Sequence, residues 1–401
     1  IQIEAGPPLV VPAFNFLNAR DLSNQRLHQE LHMNSQHQSR TESVCNITLN
    51  FKISAEVPDG ESVYISGNLP ELGSWNPVGR KLDLKKDGTC SLKIPAQKGS
   101  IIEFKITRGS WKTQGIYNEK IVPPDNLVVK VAKDRTIHID ILGWLDQQEV
   151  ESDPVLGRLI DSEVFACHGL NYKRPVQVWL PENYDESGKP CAVIYMHDSQ
   201  NLFEPARAFA GVDWKVDETI TRLVKSKEIR QCIVVGIPNS PDRMKELNLY
   251  TPQGRAYAEF IVNEVKPWVE KNFRVSKQAG DNALIGSSMG GLISFQMLYS
   301  YDRSFALAGC LSTAFQKTNG QIFNDFARNS FKPLEARLYL DAGEFEPPIA
   351  RAYFDMMKLL KESGFIEGHN LMGFYEDEAT HCEARWAGRL PLALKFLLGK
   401  K

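Results

Sequence analysis

Asn282-Ala-Leu-Ile-Gly-Ser-Ser-Met-Gly-Gly-Leu292 is the stretch of sequence that decides the fold. Its first four residues are typical of a buried strand, and the sequence continues past its end as a helix to Ser300. The residues between them fit the Gly-x-Ser-x-Gly pattern of a sharp strand-to-helix turn, which lifts the central serine off the sheet edge. Ser288 is therefore the predicted nucleophile, because the spacing of the flanking glycines excludes Ser287.

The chain around this turn, from residue 165 to 401, alternates between strands and helices. Near-continuous apolar strands between amphipathic helices indicate a mostly parallel sheet that is covered on both faces. We predict a doubly wound α/β-hydrolase fold for this part of the chain. The predicted strands are 175–180, 191–196, 231–237, 282–285, 306–311, 336–340 and 371–375, and the predicted helices are 215–226, 254–272, 290–300, 347–363 and 386–399.

Residues 43–146 have a different pattern, with short alternating strands such as Ile47–Ile53 and Ile101–Ile106 separated by turn residues. Strands of this length without helices between them predict a small all-β sandwich domain. Residues 147–164 are predicted to be an acidic linker between the two domains. Residues 1–42 are polar and are predicted to be a tail.

The bulk composition excludes several classes of function. The 401 residues are 42% hydrophobic and 24% charged, and 47 Lys and Arg nearly balance 49 Asp and Glu. This balance favours neither nucleic acid nor a membrane surface as a partner, and no apolar stretch approaches the ~18 residues of a membrane span. Seven cysteines form no Cys-x-x-Cys pair, and the histidines show no ligand spacing, so we predict no metal and no other cofactor. The chain begins with Ile1, and we expect export to the periplasm or the extracellular space.

A serine nucleophile needs a base, which follows it and the acid along the chain in this fold. Two histidines, His369 and His381, come after Ser288. His369 precedes the strand predicted at 371–375, whereas His381 follows it. Functional groups collect at the carboxyl ends of parallel strands, so His381 is the predicted base.

The acid should follow the strand predicted at 336–340. Three carboxylates lie in the run Asp341-Ala-Gly-Glu-Phe-Glu346. Glu346 is preferred because it begins the next helix after the Gly343 turn, while Asp341 and Glu344 remain alternatives. A carboxylate here would hold the base in the tautomer that catalysis needs.

The oxyanion hole needs two N–H donors near the nucleophile. Met289 supplies the first, and the loop after the strand at 191–196, with Ser199 as the candidate, supplies the second. Gln200 in the same loop is a candidate for substrate contact. Trp386 either lines the substrate pocket or belongs to the core.

Several ordered motifs extend this pattern over residues 165–400. Together they resemble the esterase family that contains enterochelin esterases, the esterase D enzymes and many feruloyl and acetyl-xylan esterases. The resemblance implies metal-free hydrolysis of esters by Ser288, Glu346 and His381. This family usually has glycine where this chain has Ser199, so a positive φ at that position would strain the loop. The motifs are Tyr195–Phe203, Trp214–Glu218, Val235–Asn239 with Arg243 and Glu246, Gly286–Gly291, Leu340–Gly343 with Glu346–Pro347, and His381 with Trp386.

The front domain contains the motifs Val63–Gly67, Leu69–Pro77 and Glu103–Thr107, and Trp111 follows the last of them. These motifs resemble starch- or glycogen-binding modules, in which exposed aromatic rings stack on sugars and a lysine bonds their hydroxyls. The resemblance implies a glycan ligand. The implied contact residues are Trp75, Lys105, Trp111 and, nearest by spacing to the family's second tryptophan, Tyr117.

These features predict a serine carboxyl-ester hydrolase acting on feruloyl or acetyl esters of a polysaccharide, which the front module would keep close to the enzyme. A siderophore esterase of the enterochelin type would use the same catalytic set. A third alternative is a glycan-binding protein with an inactive hydrolase domain.

Overall fold

The computed structural model describes residues 43–117, 126–148, 154–185, 188–209, 211–328 and 336–399. The predicted tail at 1–42 lies outside the described residues. Those described form a β-rich N-terminal domain followed by a larger domain built on one sheet. None of the helices in the described ranges is both long and apolar enough to cross a bilayer.

The N-terminal domain is a sandwich of two sheets with strand orders β4-β1-β8 and β3-β2-β5-β7, beside a small β6-β9 pair. Its side chains alternate as period-2 strands require, so that Ile47, Leu49 and Phe51 are buried while the residues between them are partly exposed. Phe51 meets Phe104 of the facing sheet edge to face, with ring centroids 6.4 Å apart. The strands are β1 Val44–Ile53, β2 Tyr64–Gly67, β3 Arg80–Lys81, β4 Thr89–Gln97, β5 Ile101–Thr107, β6 Gly115–Ile116, β7 Leu127–Lys130, β8 Arg135–Ile141 and β9 Gly143–Trp144.

The larger domain has an eight-stranded sheet with the order β10-β11-β13-β12-β14-β15-β16-β17. The six neighbouring strands β13, β12, β14, β15, β16 and β17 pair in parallel. Strand β11 pairs antiparallel with β13, and β10 pairs antiparallel with β11. Apolar side chains pack on both faces of this sheet, as its uninterrupted apolar strands predict. The strands are β10 Arg158–Asp161, β11 Gln177–Leu180, β12 Ala192–His197, β13 Cys232–Ile237, β14 Asn282–Ser287, β15 Leu307–Leu311, β16 Arg337–Gly343 and β17 Leu371–Glu376.

Helices connect these strands on both faces. The predicted α/β-hydrolase fold with a preceding β-sandwich is confirmed. The α-helices are α1 Val216–Lys225, α2 Arg243–Glu246, α3 Pro252–Phe260, α4 Lys266–Asn272, α5 Met289–Ser300, α6 Gln321–Arg328, α7 Pro347–Glu362 and α8 Glu383–Leu398.

Several elements differ from the sequence prediction, and helices α2 and α6 were not predicted at all. Strand β10 lies inside the predicted linker at 147–164 and pairs with β11 at the edge of the large sheet. It carries only two apolar residues, both half-buried, so it has no apolar run to detect. The single helix predicted at 254–272 contains a π-helical turn, Ile261–Val265, between α3 and α4. Pro267 follows that turn and lacks the N–H that a regular helix would need there, which accounts for the altered hydrogen bonding.

Candidate active site

The turn that carries the predicted nucleophile is tight, and it needs glycine two residues before Ser288. Ser288 lies between β14 and α5 with φ at 55°, a conformation that is costly for a residue with a side chain. A Cβ at Gly286 would lie 2.6 Å from the carbonyl carbon of Gly290, so only glycine fits there. Ser288 is partly exposed, whereas Ser287 is buried in the strand. The turn therefore presents one serine hydroxyl at the sheet edge.

His381 and Glu346 meet at the same edge of the sheet. The imidazole Nδ1 lies 2.7 Å from Glu346 Oε1. The other carboxylate oxygen accepts hydrogen bonds from the Gly343 N–H at 2.6 Å and from the Ser312 hydroxyl at 2.9 Å. The Glu346 side chain is fully buried, while the His381 side chain is 32% exposed. The contact through Nδ1 leaves Nε2 as the ring nitrogen available to a reacting serine.

The two alternative acids have other partners. Asp341 accepts a hydrogen bond from the Ser312 N–H at 2.7 Å and lies 3.4 Å from the Arg389 guanidinium. Burial raises the pKa of Asp341 to about 6, although Arg389 and the Ser312 N–H oppose that shift. Glu344 pairs with Lys130 of the N-terminal domain at 3.0 Å. Of the three candidates, only Glu346 is in contact with His381.

Ser312 is a functional residue that the sequence analysis missed. It follows β15 with φ at 40°, and its buried hydroxyl donates to Glu346 while accepting from Trp386 Nε1 at 3.0 Å and Arg389 Nη2 at 2.7 Å. The residues on either side of it hold the nucleophile backbone. The Ser288 N–H donates to the Leu311 carbonyl at 2.9 Å, and the Ala314 N–H donates to the Ser288 carbonyl at 3.0 Å. This short segment therefore joins the nucleophile turn to the acid.

The loop after β12 approaches the start of α5. A Cβ at Gly290 would lie 3.4 Å from His197 Cβ and 3.6 Å from Asp198 Oδ2. Ser199 begins a 3-10 turn and Met289 begins α5, so neither backbone N–H has an acceptor within its own helix. Met289 directly follows the nucleophile, and the two residues before Ser199 lie against the start of α5. Met289 and Ser199 remain the predicted oxyanion-hole donors.

The strain expected at Ser199 does not occur there. The positive φ of this loop, 59°, belongs to Asp198 instead. Arg243 donates to the Asp198 carboxylate from Nε at 2.7 Å and from Nη2 at 2.8 Å, and Asn239 Nδ2 donates to it at 3.0 Å. Burial would raise the pKa of Asp198, but Arg243 and Asn239 hold it below its usual value. The serine that replaces the family's glycine is therefore accommodated without a left-handed backbone.

His197 is a structural residue, as its place in this loop suggested. Its Nδ1 lies 2.8 Å from the Tyr257 hydroxyl, and the side chain is buried. Burial lowers its pKa to about 4, so the ring is neutral at physiological pH.

The two candidates for substrate contact differ in their surroundings. Trp386 is buried, and its ring lies edge-on to His381 with centroids 4.8 Å apart. It therefore supports the histidine from the core. Gln200 is partly exposed, and its side-chain oxygen accepts a long hydrogen bond of 3.5 Å from the Asn239 N–H. Gln200 is thus the more accessible of the two.

The four residues predicted to bind carbohydrate do not form one surface. Trp75 is 37% exposed, and its ring centroid lies 6.5 Å from that of Trp111. Tyr117 is buried in the sandwich core, where its hydroxyl accepts from the Ile106 N–H at 2.8 Å, so the predicted stacking role is wrong. Lys105 is also buried, and its ammonium donates to Gln114 Oε1 at 2.8 Å. Lys105 is therefore not exposed beside the tryptophans, which contradicts its predicted contact with a glycan.

Within the described part of the chain, no group of three or more His, Cys, Asp or Glu side chains is arranged to hold a metal ion.

A parallel sheet with a serine turn and a histidine–glutamate pair at one edge defines an α/β-hydrolase. The chain belongs to the family described as "Putative esterase", whose model matches residues 167–397. The model of the starch binding domain matches residues 45–131. The resemblance to an esterase with an N-terminal starch-binding-type module is thereby confirmed.

Individual relatives are distant. The uncharacterized protein YbbA of Bacillus subtilis (strain 168) is 24% identical over 250 residues, which cover 57% of this chain and 93% of that protein. The enterobactin esterase FES of Shigella flexneri, solved in the presence of enterobactin, is 13% identical with a TM-score of 0.54, covering 92% of this chain and 97% of its own. A ferulic acid esterase is 17% identical with a TM-score of 0.47, covering 61% of this chain and 98% of its own.

Proposed function

We propose that the protein is a serine carboxyl-ester hydrolase that works through an acyl-enzyme. The observation that carries this proposal is the 2.7 Å contact between His381 Nδ1 and buried Glu346 at the sheet edge where Ser288 is presented. A carboxylate in this position fixes the neutral imidazole with its proton on Nδ1, and it stabilises the imidazolium that forms during the reaction.

In the first half of the reaction, Ser288 Oγ attacks the ester carbonyl carbon while its proton moves to His381 Nε2. The carbonyl oxygen becomes an oxyanion, and the N–H groups of Met289 and Ser199 are the proposed donors that stabilise it. When the tetrahedral intermediate collapses, the bond from carbon to the alcohol oxygen breaks, and His381 gives its proton to the departing alcohol.

In the second half, water attacks the acyl group on Ser288 while His381 accepts its proton. The carbon–oxygen bond to Ser288 then breaks, and His381 returns the proton to the serine oxygen. The products are the free acid and the alcohol, and the enzyme is regenerated without a redox change.

We further propose that the substrate is a feruloyl or acetyl ester of a polysaccharide and that the protein is exported to meet it. The starch binding domain model and the pair formed by exposed Trp75 and half-buried Trp111 support a glycan ligand. A binding module linked to an esterase raises the local concentration of its ester groups.

A catechol siderophore ester is the second candidate. It is favoured by the likeness to the Shigella flexneri enterobactin esterase, which extends over 92% of this chain and so includes the N-terminal domain. Both candidate substrates would place an aromatic or acetyl acyl group on Ser288. The catalytic residues are therefore the same for both, and only substrate preference distinguishes the two functions.

The test is hydrolysis of methyl ferulate, p-nitrophenyl acetate, acetylated xylan and a catechol siderophore by the wild type, Ser288→Ala and Ser287→Ala. We expect Ser288→Ala to lose essentially all turnover, about 10³-fold or more, while Ser287→Ala retains it. The preferred natural ester decides between the two candidates. Wild-type protein that turns over none of the four but retains polysaccharide binding would favour the binding protein with an inactive hydrolase domain.

A further inference from the structure

We infer that the outward face of β5 is a wall of the catalytic pocket, where Glu103 and Lys105 form a subsite for a hydroxyl-bearing part of the ester substrate. This inference rests on the proposed function and assigns to the N-terminal domain a role in substrate recognition at the serine site.

Strand β5 has two faces. Ile102, Phe104 and Ile106 point into the sandwich core, so Glu103 and Lys105 point to the opposite side of the sheet. A charged residue on the outer face of a sandwich is normally solvated. Glu103 is nevertheless only 5% exposed and Lys105 only 8%. Something outside the sandwich therefore covers this face.

The catalytic edge of the larger domain provides the cover. On the neighbouring strand β7, Lys130 pairs with Glu344 at 3.0 Å, and its ammonium lies 4.9 Å from the centroid of the Phe345 ring. These two residues immediately precede the candidate acid. His381 and Glu346 are both near enough to influence the pKa of Glu103, in opposite directions. The face of β5 is therefore close to the histidine and the acid of the proposed triad.

The two side chains are oriented by groups of their own domain. Glu103 Oε2 accepts a hydrogen bond from Asn126 Nδ2 at 2.8 Å, and Lys105 donates to Gln114 Oε1 at 2.8 Å. The Gln114 amide is fixed in turn by its bond to the Trp111 carbonyl at 2.7 Å. A carboxyl group and an ammonium group held side by side offer an acceptor and a donor, which suits a hydroxyl of a sugar or a phenol.

The charge of Glu103 and the exposure of the catalytic side chains fit such a ligand. Burial raises the pKa of Glu103 to about 7, against the opposing effects of Asn126, His381 and Lys105, so the carboxyl is only partly charged near neutrality. Ser288 and His381 are both partly exposed, so the catalytic edge is open to a ligand.

The experiment compares Lys105→Met, Glu103→Gln and Lys112→Met in the full chain. Lys112 is exposed on the same domain and provides a matched control for loss of a lysine charge. The substrates are p-nitrophenyl acetate, which has no hydroxyl, methyl ferulate, which has a phenolic one, and an acetylated xylo-oligosaccharide, which has sugar hydroxyls. For the hydroxylated ester that the wild type prefers, we expect Lys105→Met to lower kcat/KM by about tenfold or more, mainly through KM.

Two controls separate loss of the subsite from a general loss of activity: an ester without a hydroxyl and the Lys112→Met variant. Lys105→Met should lower kcat/KM for the hydroxylated ester about fivefold or more beyond any change for p-nitrophenyl acetate, and Lys112→Met should resemble the wild type on all three esters. A larger effect on methyl ferulate would assign the subsite to a phenol, and a larger effect on the oligosaccharide would assign it to a sugar. Equal behaviour of Lys105→Met and Lys112→Met in an active enzyme would overturn the inference while leaving the proposed function intact.

A second measurement does not depend on turnover. Zero-length carbodiimide coupling should join Lys130 to Glu344 in one cross-linked peptide, because their charged groups are 3.0 Å apart. Failure to find that peptide would show that β7 and β5 do not cover the catalytic edge. A wild type that hydrolyses none of the esters would overturn the proposed function and the subsite together, even if the cross-link forms.

Discussion

The catalytic edge of the larger domain and the tryptophan pair of the N-terminal domain are held in opposite ways. At the catalytic edge, Glu346 is fully buried, and three separate groups bond its carboxylate. At the other surface, Trp75 is more than a third exposed, and its ring meets Trp111 at a tilt of 49°. Bond-making chemistry needs atoms fixed within fractions of an ångström, whereas an aromatic platform needs only an accessible flat face.

This difference has an energetic side. Buried polar groups are costly unless they are satisfied, so each hydrogen bond to Glu346 both orients the carboxylate and offsets its desolvation. Removing one partner at the catalytic edge should therefore affect its neighbours as well. Removing an exposed aromatic ring should remove its contact area and little else.

The strongest test of this contrast is Glu346→Gln. The amide keeps the shape of the side chain but loses the negative charge that stabilises the imidazolium of His381, so we expect kcat to fall by about 10³-fold or more with KM little changed. Glu344→Gln is the matched control, because Glu344 lies two residues away and pairs with Lys130. Steady-state kinetics on a soluble ester check both variants. An equal loss in Glu344→Gln would contradict the assignment of the acid.

Ser312→Ala should have the next largest effect. Loss of the hydroxyl leaves Trp386 Nε1 and Arg389 Nη2 without their shared acceptor and frees one oxygen of Glu346. We expect kcat to fall about 10- to 100-fold and the free energy of unfolding to fall by about 1–3 kcal/mol. Ser312 is a positioning residue, so the loss should lie in kcat with KM nearly unchanged.

Thr318→Ala is the control for Ser312. Its hydroxyl is also buried, but it donates to the nearby Phe315 carbonyl at 2.8 Å. This variant should lose stability and retain kcat. If kcat tracks stability in the same way for both variants, Ser312 has only a structural role.

Ser312 also shows what the sequence could not reveal. The serine turn at 286–291 carries its own local signal, because glycine spacing and the switch from strand to helix are visible in consecutive residues. The position of His381 after a strand could be predicted for the same reason. Ser312, in contrast, gains its role from partners 34 to 77 residues away, and a lone serine after a strand has no pattern that announces them.

The N-terminal domain shows the same limit. Its fold followed from short alternating strands, but Lys105 was predicted to face a glycan because the resemblance placed it there. The covering of β5 depends on how two domains meet, and neither domain's own periodicity encodes that contact. Tyr117 was misplaced similarly, since an aromatic residue in a sandwich fits the core as well as the surface.

Trp75→Ala tests the exposed aromatic surface of the N-terminal domain. Loss of the exposed ring should weaken binding to starch by about tenfold, because stacking area is lost and no buried group is left unsatisfied. Hydrolysis of a soluble ester should be unchanged. Tyr172→Ala, which removes an exposed aromatic from the larger domain, is the control and should leave starch binding unaffected. Unchanged binding in Trp75→Ala, measured by sedimentation with insoluble starch, would mean that the tryptophan pair is not a glycan site.

The smallest expected effect concerns the pH dependence of stability at the catalytic edge. Folded His197 has its pKa lowered to about 4 from an ordinary value of 6.5, chiefly by burial. Between these two pH values the unfolded chain binds more protons at this site than the folded chain, so stability rises with pH across that window and is lost as pH falls towards 4. His197→Gln should therefore reduce the slope of unfolding free energy against pH by up to about 1 kcal/mol per pH unit between pH 4 and 6.5. Urea unfolding at several pH values measures this slope, with exposed His138→Gln as the control from the N-terminal domain. An unchanged slope in His197→Gln would show that the ring is protonated in the folded protein between pH 4 and 6.5. The contrast between a rigidly held catalytic edge and a solvated surface on the N-terminal domain would then not hold at this residue.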